Sequence, residues 1–473
     1  MSKYIPTIGI EVHVELKTNT KIFSPSINGY GQMANSLTNE IDLGYPGTLP
    51  TLNEEVINLG IKAATILNCK IRKQMFFDRK NYFYPDNPKN YQITQNRTPI
   101  GYDGYVEIDD NGVKKKIYIE EMHIEEDTCK STHRKDKTLL DFNRAGVPLI
   151  EIVTKPCMTT STEAKLYLEK LKELLFYADV SDCKMEEGSM RADANVSIRK
   201  SESDPFGTKA EIKNIGSISN VGLSIEKEIE RQAKLYDEGK TFKEQTRRFD
   251  SKLNDTVLMR VKETGNDYRY FPEPDIPFVI ITDEMIDNVK KTIPMLPDER
   301  REVYKNLGVS DINTTKLVQN RSLSDYFNEL LNEKTNFQIA SNLLLGDISA
   351  YLNKHEKLIT DTTLTKERFL ELIKLMDDKT LTSKNLKDIL DDVLESNKNI
   401  TEIMKDKGIE NITDDKEIRE VIKRIINDNP ESVNDYKNGH DRAIKYLMGQ
   451  VMKETRGKVN PGVAIEILTE ELN

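Results

Sequence analysis

In the run Ile8-Gly-Ile-Glu-Val-His-Val-Glu-Leu16 the apolar residues Ile8, Ile10, Val12, Val14 and Leu16 alternate strictly with the rest. Strand side chains point to opposite faces in turn, so Glu11, His13 and Glu15 form a row at intervals of about 7 Å. Such a row is a candidate ligand set; a strand whose charged face is merely wet reads the same way. Other segments add to it. His123-Ile-Glu-Glu-Asp127 offers three successive carboxylates after a strand-like Ile117 to Ile119, and Glu151 sits inside the apolar run Leu149-Ile-Glu-Ile-Val153. A carboxylate in such a run is costly to bury unless it is paired or binds a metal. From Met190 to Ile198 the alternation returns, with Arg191, Asp193, Asn195, Ser197 and Arg199 opposite the apolar set, and Lys209-Ala-Glu-Ile-Lys213 repeats the scheme.

Hard divalent cations take several oxygen ligands, and Mg²⁺ at a phosphate site is held by one or two carboxylates plus water and substrate oxygens. Several strands presenting Glu, Asp and a His to one face would satisfy that. Arg and Lys among them suit phosphoryl groups or developing negative charge. A buried Lys-Glu network gives the same pattern, so residue types alone leave both readings open.

The elements that must carry these residues change character near residue 290. Before it, short alternating runs bounded by Gly, Pro and Asn read as strands, with helices over about Glu54 to Leu67 and Ser161 to Tyr177, the latter opened by a Thr160-x-x-Glu163 capping box. Beyond it, helical spacing dominates, as in Ser341 to Leu352 and Arg368 to Met376, and the Lys- and Asp-rich stretch Lys398 to Lys416 reads as a linker to a last small helical unit. The fold class is therefore α+β: a mainly antiparallel-sheet domain with helices over 1–292, an all-α domain over 293–405 and a small all-α tail over 406–473.

Composition removes several functions. The 473 residues carry a net charge of −10, and 37% hydrophobic with 31% charged residues is too much core for disorder and too much charge for a membrane protein. The apolar run Ile276 to Ile281 is far short of the roughly 20 residues of a span. The N-terminus builds no secretion signal, and the expectation is a cytoplasmic protein. Cys69, Cys129, Cys157 and Cys183 form no CxxC pair, and no HExxH, GxSxG, GxGxxG or GxxxxGK(S/T) occurs. A nucleotide site here is of an unusual kind.

Six ordered motifs are recognisable: Ile8 to Leu16 (IGIEVHVEL), Phe77 to Gln92 (FDRKNYFYPDNPKNYQ), Leu140 to Ile152 (LDFNRAGVPLIEI), Lys184 to Ser197 (KMEEGSMRADANVS), Lys209 to Asn214 (KAEIKN) and Tyr268 to Asp275 (YRYFPEPD). Together with Gly449-Gln-Val-Met452 and Gly457-Lys-Val-Asn-Pro461 in the tail, the chain closely resembles the B subunits of the tRNA-dependent amidotransferases, the GatB family, over essentially its whole length. The resemblance implies a "cradle" that uses ATP and Mg²⁺ to activate the side-chain carboxylate of misacylated Glu-tRNA(Gln), Asp-tRNA(Asn) or both. It then amidates the acyl phosphate with ammonia delivered by the glutaminase GatA, with GatC as the third partner. Tyr268 to Asp275 runs on into Pro294-Met-Leu-Pro297, leaving no room for the extra domain of the archaeal relative GatE.

By the same resemblance Glu11, His13, Glu125 and Glu151 match the family's cradle metal site, and Asp193 is added from its strand face. Glu125 and Glu151 are thus also catalytic, with Arg191, Lys209 and Lys213 stabilising phosphate charge; a structural salt bridge is the other reading of each basic residue. Lys80 and Lys89 resemble the polar lining of the ammonia route; lysines of a surface loop are the other reading. Many members carry a zinc-binding CxC and CxxC in the early loop, but here Ser24, Ser26, Asn39 and Asp42 stand there, so no zinc is expected and the loop Phe23 to Pro46 should be held by packing. Between Lys437 and Lys458 six basic residues stand against two acidic ones, which by residue type alone reads as a solvated helix face; the resemblance makes Lys445, Lys453, Arg456 and Lys458 the candidate tRNA contacts. Two other classes stay open: a noncatalytic tRNA-binding adaptor and a stand-alone metal-dependent phosphotransferase.

Overall fold

The computed structural model describes residues 3–261, 268–409, 415–437, 441–455, 459 and 461–472. Internal contacts divide the chain into two units, Met1–Leu296 and Pro297–Asn473.

Alternation in the first unit builds one nine-stranded sheet from β1 Ile5–Glu15, β2 Lys70–Ile71, β3 Gly101–Asp110, β4 Val113–Glu126, β5 Pro148–Thr154, β6 Met190–Arg199, β7 Ala210–Ile215, β8 Gln245–Asp250 and β9 Asp255–Val261. Their order across the sheet is β9-β8-β7-β6-β1-β5-β4-β3-β2. Only β7 and β8 run parallel. The central strand β1 pairs with β5 on one side and β6 on the other, which places the Ile8 to Leu16 motif in the middle.

One face of the sheet is core. Ile8, Ile10, Val12 and Val14 are fully buried there, together with Val56, Leu168 and Val221 from helices α1 Glu54–Ile66, α2 Ser161–Tyr177 and α3 Ile218–Asp237. Burying a side chain of this size contributes about 1.5–3 kcal/mol, so the apolar stripe of β1 fixes which way its polar row must face. Helix starts follow their caps. Asn53 accepts from the Glu55 amide at 2.9 Å and Thr160 from the Glu163 amide at 3.1 Å. The reciprocal arm of the expected capping box is shifted by one residue: the Glu163 carboxylate accepts from the Thr159 amide at 2.7 Å. Over the polar face, strands Asp78–Asn81 and Tyr91–Thr94 form a small sheet with Phe271–Pro272. The guanidinium of Arg79 locks that motif with two bonds to Glu273, at 2.6 and 2.8 Å.

In the second unit the helical reading meets two corrections. The segment Ser341 to Leu352 is not one α-helix: Phe337–Leu343 passes through a π turn, Leu344–Ile348, before Ser349–His355, because Gly346 adopts φ −97°, ψ −108°. Nor is Lys398 to Lys416 wholly a linker. Ile400–Asp406 is a helix whose Ile400, Ile403 and Met404 are buried, apolar positions three and four apart that the surrounding charge concealed. Further on, Ile418, Ile422, Leu447, Val451 and Leu468 gather an apolar cluster of their own.

The early loop also departs from expectation. Packing alone does not hold it: Ser24 donates to Asp42 Oδ1 at 2.6 Å, the Asn39 amide to Oδ2 at 3.1 Å, and Lys21 Nζ lies 3.2 Å from Oδ2. Lys21 and Asp42 are almost wholly buried, and burial lowers the lysine pKa despite the aspartate. The Asp42 carboxylate, paired with Lys21, thus ties together Ser24, Asn39 and Asp42, three of the positions at which the family resemblance places zinc ligands.

Candidate active site

Register decides which members of the polar row meet. His13 stands opposite Glu151 of β5 on one side and Arg191 of β6 on the other, and Glu151 stands opposite His123 of β4. His13 Nε2 lies 3.6 Å from both Glu125 Oε1 and Glu151 Oε1. These three side chains offer ligand atoms within 4.8 Å of one another. Two residues along, Glu11 faces Asp193, while Glu211 of β7 stands opposite Asn195. Glu11, Asp193 and Glu211 form a second group of the same tightness. The five residues expected as one ligand set are therefore split between two groups, and Glu211 joins them. Its alternation in Lys209 to Lys213 was visible; its strand pairing was not.

Each group already holds a cation of the chain's own. His123 Nε2 is 2.7 Å from Glu151 Oε2 and 3.8 Å from Glu125 Oε2. Burial works against a charged imidazole, but the two carboxylates outweigh it and push His123 up to about 10. Burial likewise opposes the charge on Glu125 and Glu151, and the neighbouring His123, aided by His13, still holds both carboxyls below their ordinary value. Thr94 steadies Glu125 at 3.2 Å. In the second group Lys213 Nζ sits 2.8 Å from Asp193 and 3.0 Å from Glu211, and these neighbours raise its pKa against the effect of burial. Lys213 is thus a partner of the acidic group rather than a free phosphate ligand. Glu11 forms no ion pair among the described residues: burial first, then the field of Glu151, raises its pKa against the lowering by Asn195 and Lys213.

Arg191 is anchored through Nη2 to Asp127 Oδ2 at 2.7 Å, and Arg144 approaches the same oxygen at 3.4 Å. Lys209 is exposed just ahead of β7. Glu125, Glu126 and Asp127 do not follow a strand as a trio; β4 runs on to Glu126, so alternation turns Glu125 to the site and Glu126 away from it. Glu126 instead holds Lys89, at 2.6 Å, and accepts from the Ile93 amide at 2.8 Å. A void of about 10 Å³, room for one water-sized molecule, adjoins this pair and Gln92. Lys80 lies 4.9 Å over the Tyr268 ring and its charge helps lower Glu151. In the second unit Lys445 and Lys453 are exposed on the helix Asp441–Glu454, whereas Arg456 and Lys458 lie outside the described residues.

Residues 6–287 match the family model for the GatB/GatE catalytic domain, and residues 325–472 match that for the GatB domain. Curated relatives align from end to end. The B subunit of the aspartyl/glutamyl-tRNA(Asn/Gln) amidotransferase of Lactiplantibacillus plantarum is 48% identical over 470 residues, 99% of each chain. Those of Oceanobacillus iheyensis and Bacillus mycoides are 48% and 47% identical, with 98% of each chain covered. The two carboxylate groups described above fall within the stretch matched by the catalytic domain, and the chain belongs to the GatB family.

Proposed function

We propose that this chain is the carboxylate-activating component of a glutamine-dependent tRNA amidotransferase, a carbon-nitrogen ligase working with GatA and GatC in the cytoplasm. The observation that carries this reading is the pairing of two compact carboxylate groups on one sheet face with a part-buried, anchored arginine beside them. His13, Glu125 and Glu151 would hold one Mg²⁺ and Glu11, Asp193 and Glu211 another; carboxylate oxygens with one imidazole are a donor set that suits a hard cation. When bound, Mg²⁺ supplies charge neutralisation for the phosphates of ATP. The chain's own part is to position and to balance charge. Arg191, fixed by Asp127, offers its remaining donors to phosphoryl oxygens, and Lys209 has the freedom of an exposed side chain to do likewise.

The reaction follows from that arrangement. A side-chain carboxylate oxygen of Glu-tRNA(Gln) or Asp-tRNA(Asn) attacks the γ-phosphorus of ATP, ADP leaves, and an acyl phosphate forms. Ammonia then displaces phosphate and leaves the amide. No nucleophile system for releasing ammonia from glutamine is recognisable in the chain, which is why a glutaminase partner is part of the reading. The polar pocket at Lys89, Glu126 and Gln92 and the nearby Lys80 would pass ammonia without bulk water. We further propose that the second unit divides near residue 405 into a helical domain and a tail that carries the tRNA. No described helix is long and apolar enough to cross a membrane.

The test is reconstitution. The chain with GatA and GatC should convert Glu-tRNA(Gln), Asp-tRNA(Asn) or both to the amidated forms with ATP consumed in proportion. Turnover without GatA and GatC would make it a stand-alone phosphotransferase, and tRNA binding with no ATP consumption would make it an adaptor.

A further inference from the structure

We propose that Asn195 is a fourth oxygen donor to the cation held by Glu11, Asp193 and Glu211, contacting it directly or through one of its waters. The inference rests on the metal reading above and adds a residue to it. Asn195 lies on β6 two positions beyond Asp193, on the same face, with Glu211 opposite it on β7 and Gly9 opposite it on β1. Its neighbours therefore frame it on the β7 side and leave it without a flanking side chain on the β1 side.

The two ends of its amide are treated differently. The Nδ2 group donates to Glu11 Oε1 at 2.7 Å, which fixes the orientation, because the reversed amide would set its oxygen against a carboxylate. The Oδ1 atom is thereby turned to the opposite side of the amide, where it is buried and has no hydrogen-bond partner among the described residues. Buried carbonyl oxygens are rarely left so. Among the described residues Lys213 is the cation paired with this group, and it serves Asp193 and Glu211 while leaving Asn195 Oδ1 unused. Asn195 Oδ1 is thus among the oxygens of the group that this ammonium does not engage. An amide carbonyl beside carboxylates is a donor that Mg²⁺ and Mn²⁺ accept readily, and an ordered water on a bound ion would satisfy it equally well.

Mn²⁺ binding to the full-length chain, followed by calorimetry and electron paramagnetic resonance, tests this without reference to activity. The wild-type chain should bind two ions, of which Glu211→Gln removes one. Asn195→Ala should weaken that ion by about tenfold and leave the other unchanged. Asn195→Asp keeps an oxygen but cannot donate to Glu11, so it should bind at least as tightly as wild type. Asn195→Ser serves in place of the alanine variant if thermal melts show that the latter does not fold. Unchanged affinity in Asn195→Ala, with the ion still lost in Glu211→Gln, overturns the proposal and leaves the metal reading standing. Equal weakening in the alanine and aspartate variants also overturns it, since Asn195 would then only steady Glu11. Unchanged Mn²⁺ binding in both Glu211→Gln and Glu11→Gln overturns the metal reading of this group itself.

Discussion

An imidazole set among carboxylates can lower the group's energy by carrying a proton or by giving a lone pair to a cation. His123 takes the first role, 2.7 Å from Glu151 and held protonated far above its ordinary range. His13, 3.6 Å from each of two carboxylates, makes no short bond to either and is placed for the second. His13→Ala or Glu125→Gln should therefore lower tRNA-dependent ATP hydrolysis by about 100-fold or more, beyond the 10- to 100-fold that losing an outer partner costs. Glutaminase activity of the complex without tRNA should persist, and amidation at the wild-type rate would rule out the metal assignment. A pH effect belongs to Glu15, whose carboxyl is pushed up to about 7 by burial and then by Asp127. A carboxyl that binds its proton more tightly when folded contributes stability that is full below about pH 4.5 and lost as pH rises through 7. Glu15→Gln should thus leave the metal-free chain unchanged near pH 4.5 and stabilise it by roughly 2–3 kcal/mol at pH 8, as read from urea unfolding at the two pH values. A gain of the same size at both would place its origin in packing instead.

Strands made half of this site legible from sequence alone. A period of two assigns Ile10 to the core and Glu11 to the other face with no knowledge of neighbours, and Ile10 is indeed fully buried. Ile10→Ala should then cost about 2–5 kcal/mol in urea unfolding, well above the cost of His13→Ala three residues along on the polar face. Comparable losses would mean that the polar row is part of the fold's support. What alternation cannot supply is register. Nothing local to Lys209-Ala-Glu-Ile-Lys213 says that this strand lies beside β6, so Glu211 had no visible link to Glu11, and nothing near Asp193 says that Lys213 will bond it. Loops are harder still. The pairing of Lys21 with Asp42 depends on a fold-back of some twenty residues, and the serines between them read as ordinary loop polarity. Because both charges are buried, Asp42→Ala should destabilise by about 3–5 kcal/mol by stranding Lys21, while adding Lys21→Met to it should recover much of that loss. Strictly additive single and double variants in a thermodynamic cycle would show that the pair is not coupled.

At the scale of the whole molecule the difficulty is charge, since a protein of net charge −10 is proposed to hold a polyanion. The length and composition indicated several soluble domains, and the six motifs indicated the family, but neither located the tRNA surface. A local excess resolves the difficulty if it acts within a Debye length, about 8 Å at physiological salt, where the distant acidic residues are screened. Lys445 and Lys453 are exposed side chains on one helix, free to approach phosphates that closely. Reversing both to Glu should raise the KM for charged tRNA while leaving ATP and Mn²⁺ binding to the first unit intact. Salt dependence separates this from a folding defect. For each phosphate that the variant no longer neutralises, the slope of log K against log salt should fall by about 0.7 to 0.9, whereas a smaller active fraction shifts the intercept and leaves the slope alone. A double reversal that binds tRNA with the wild-type affinity and the wild-type slope would make this face of the helix a solvated surface, and the grip on tRNA would have to come from elsewhere in the chain.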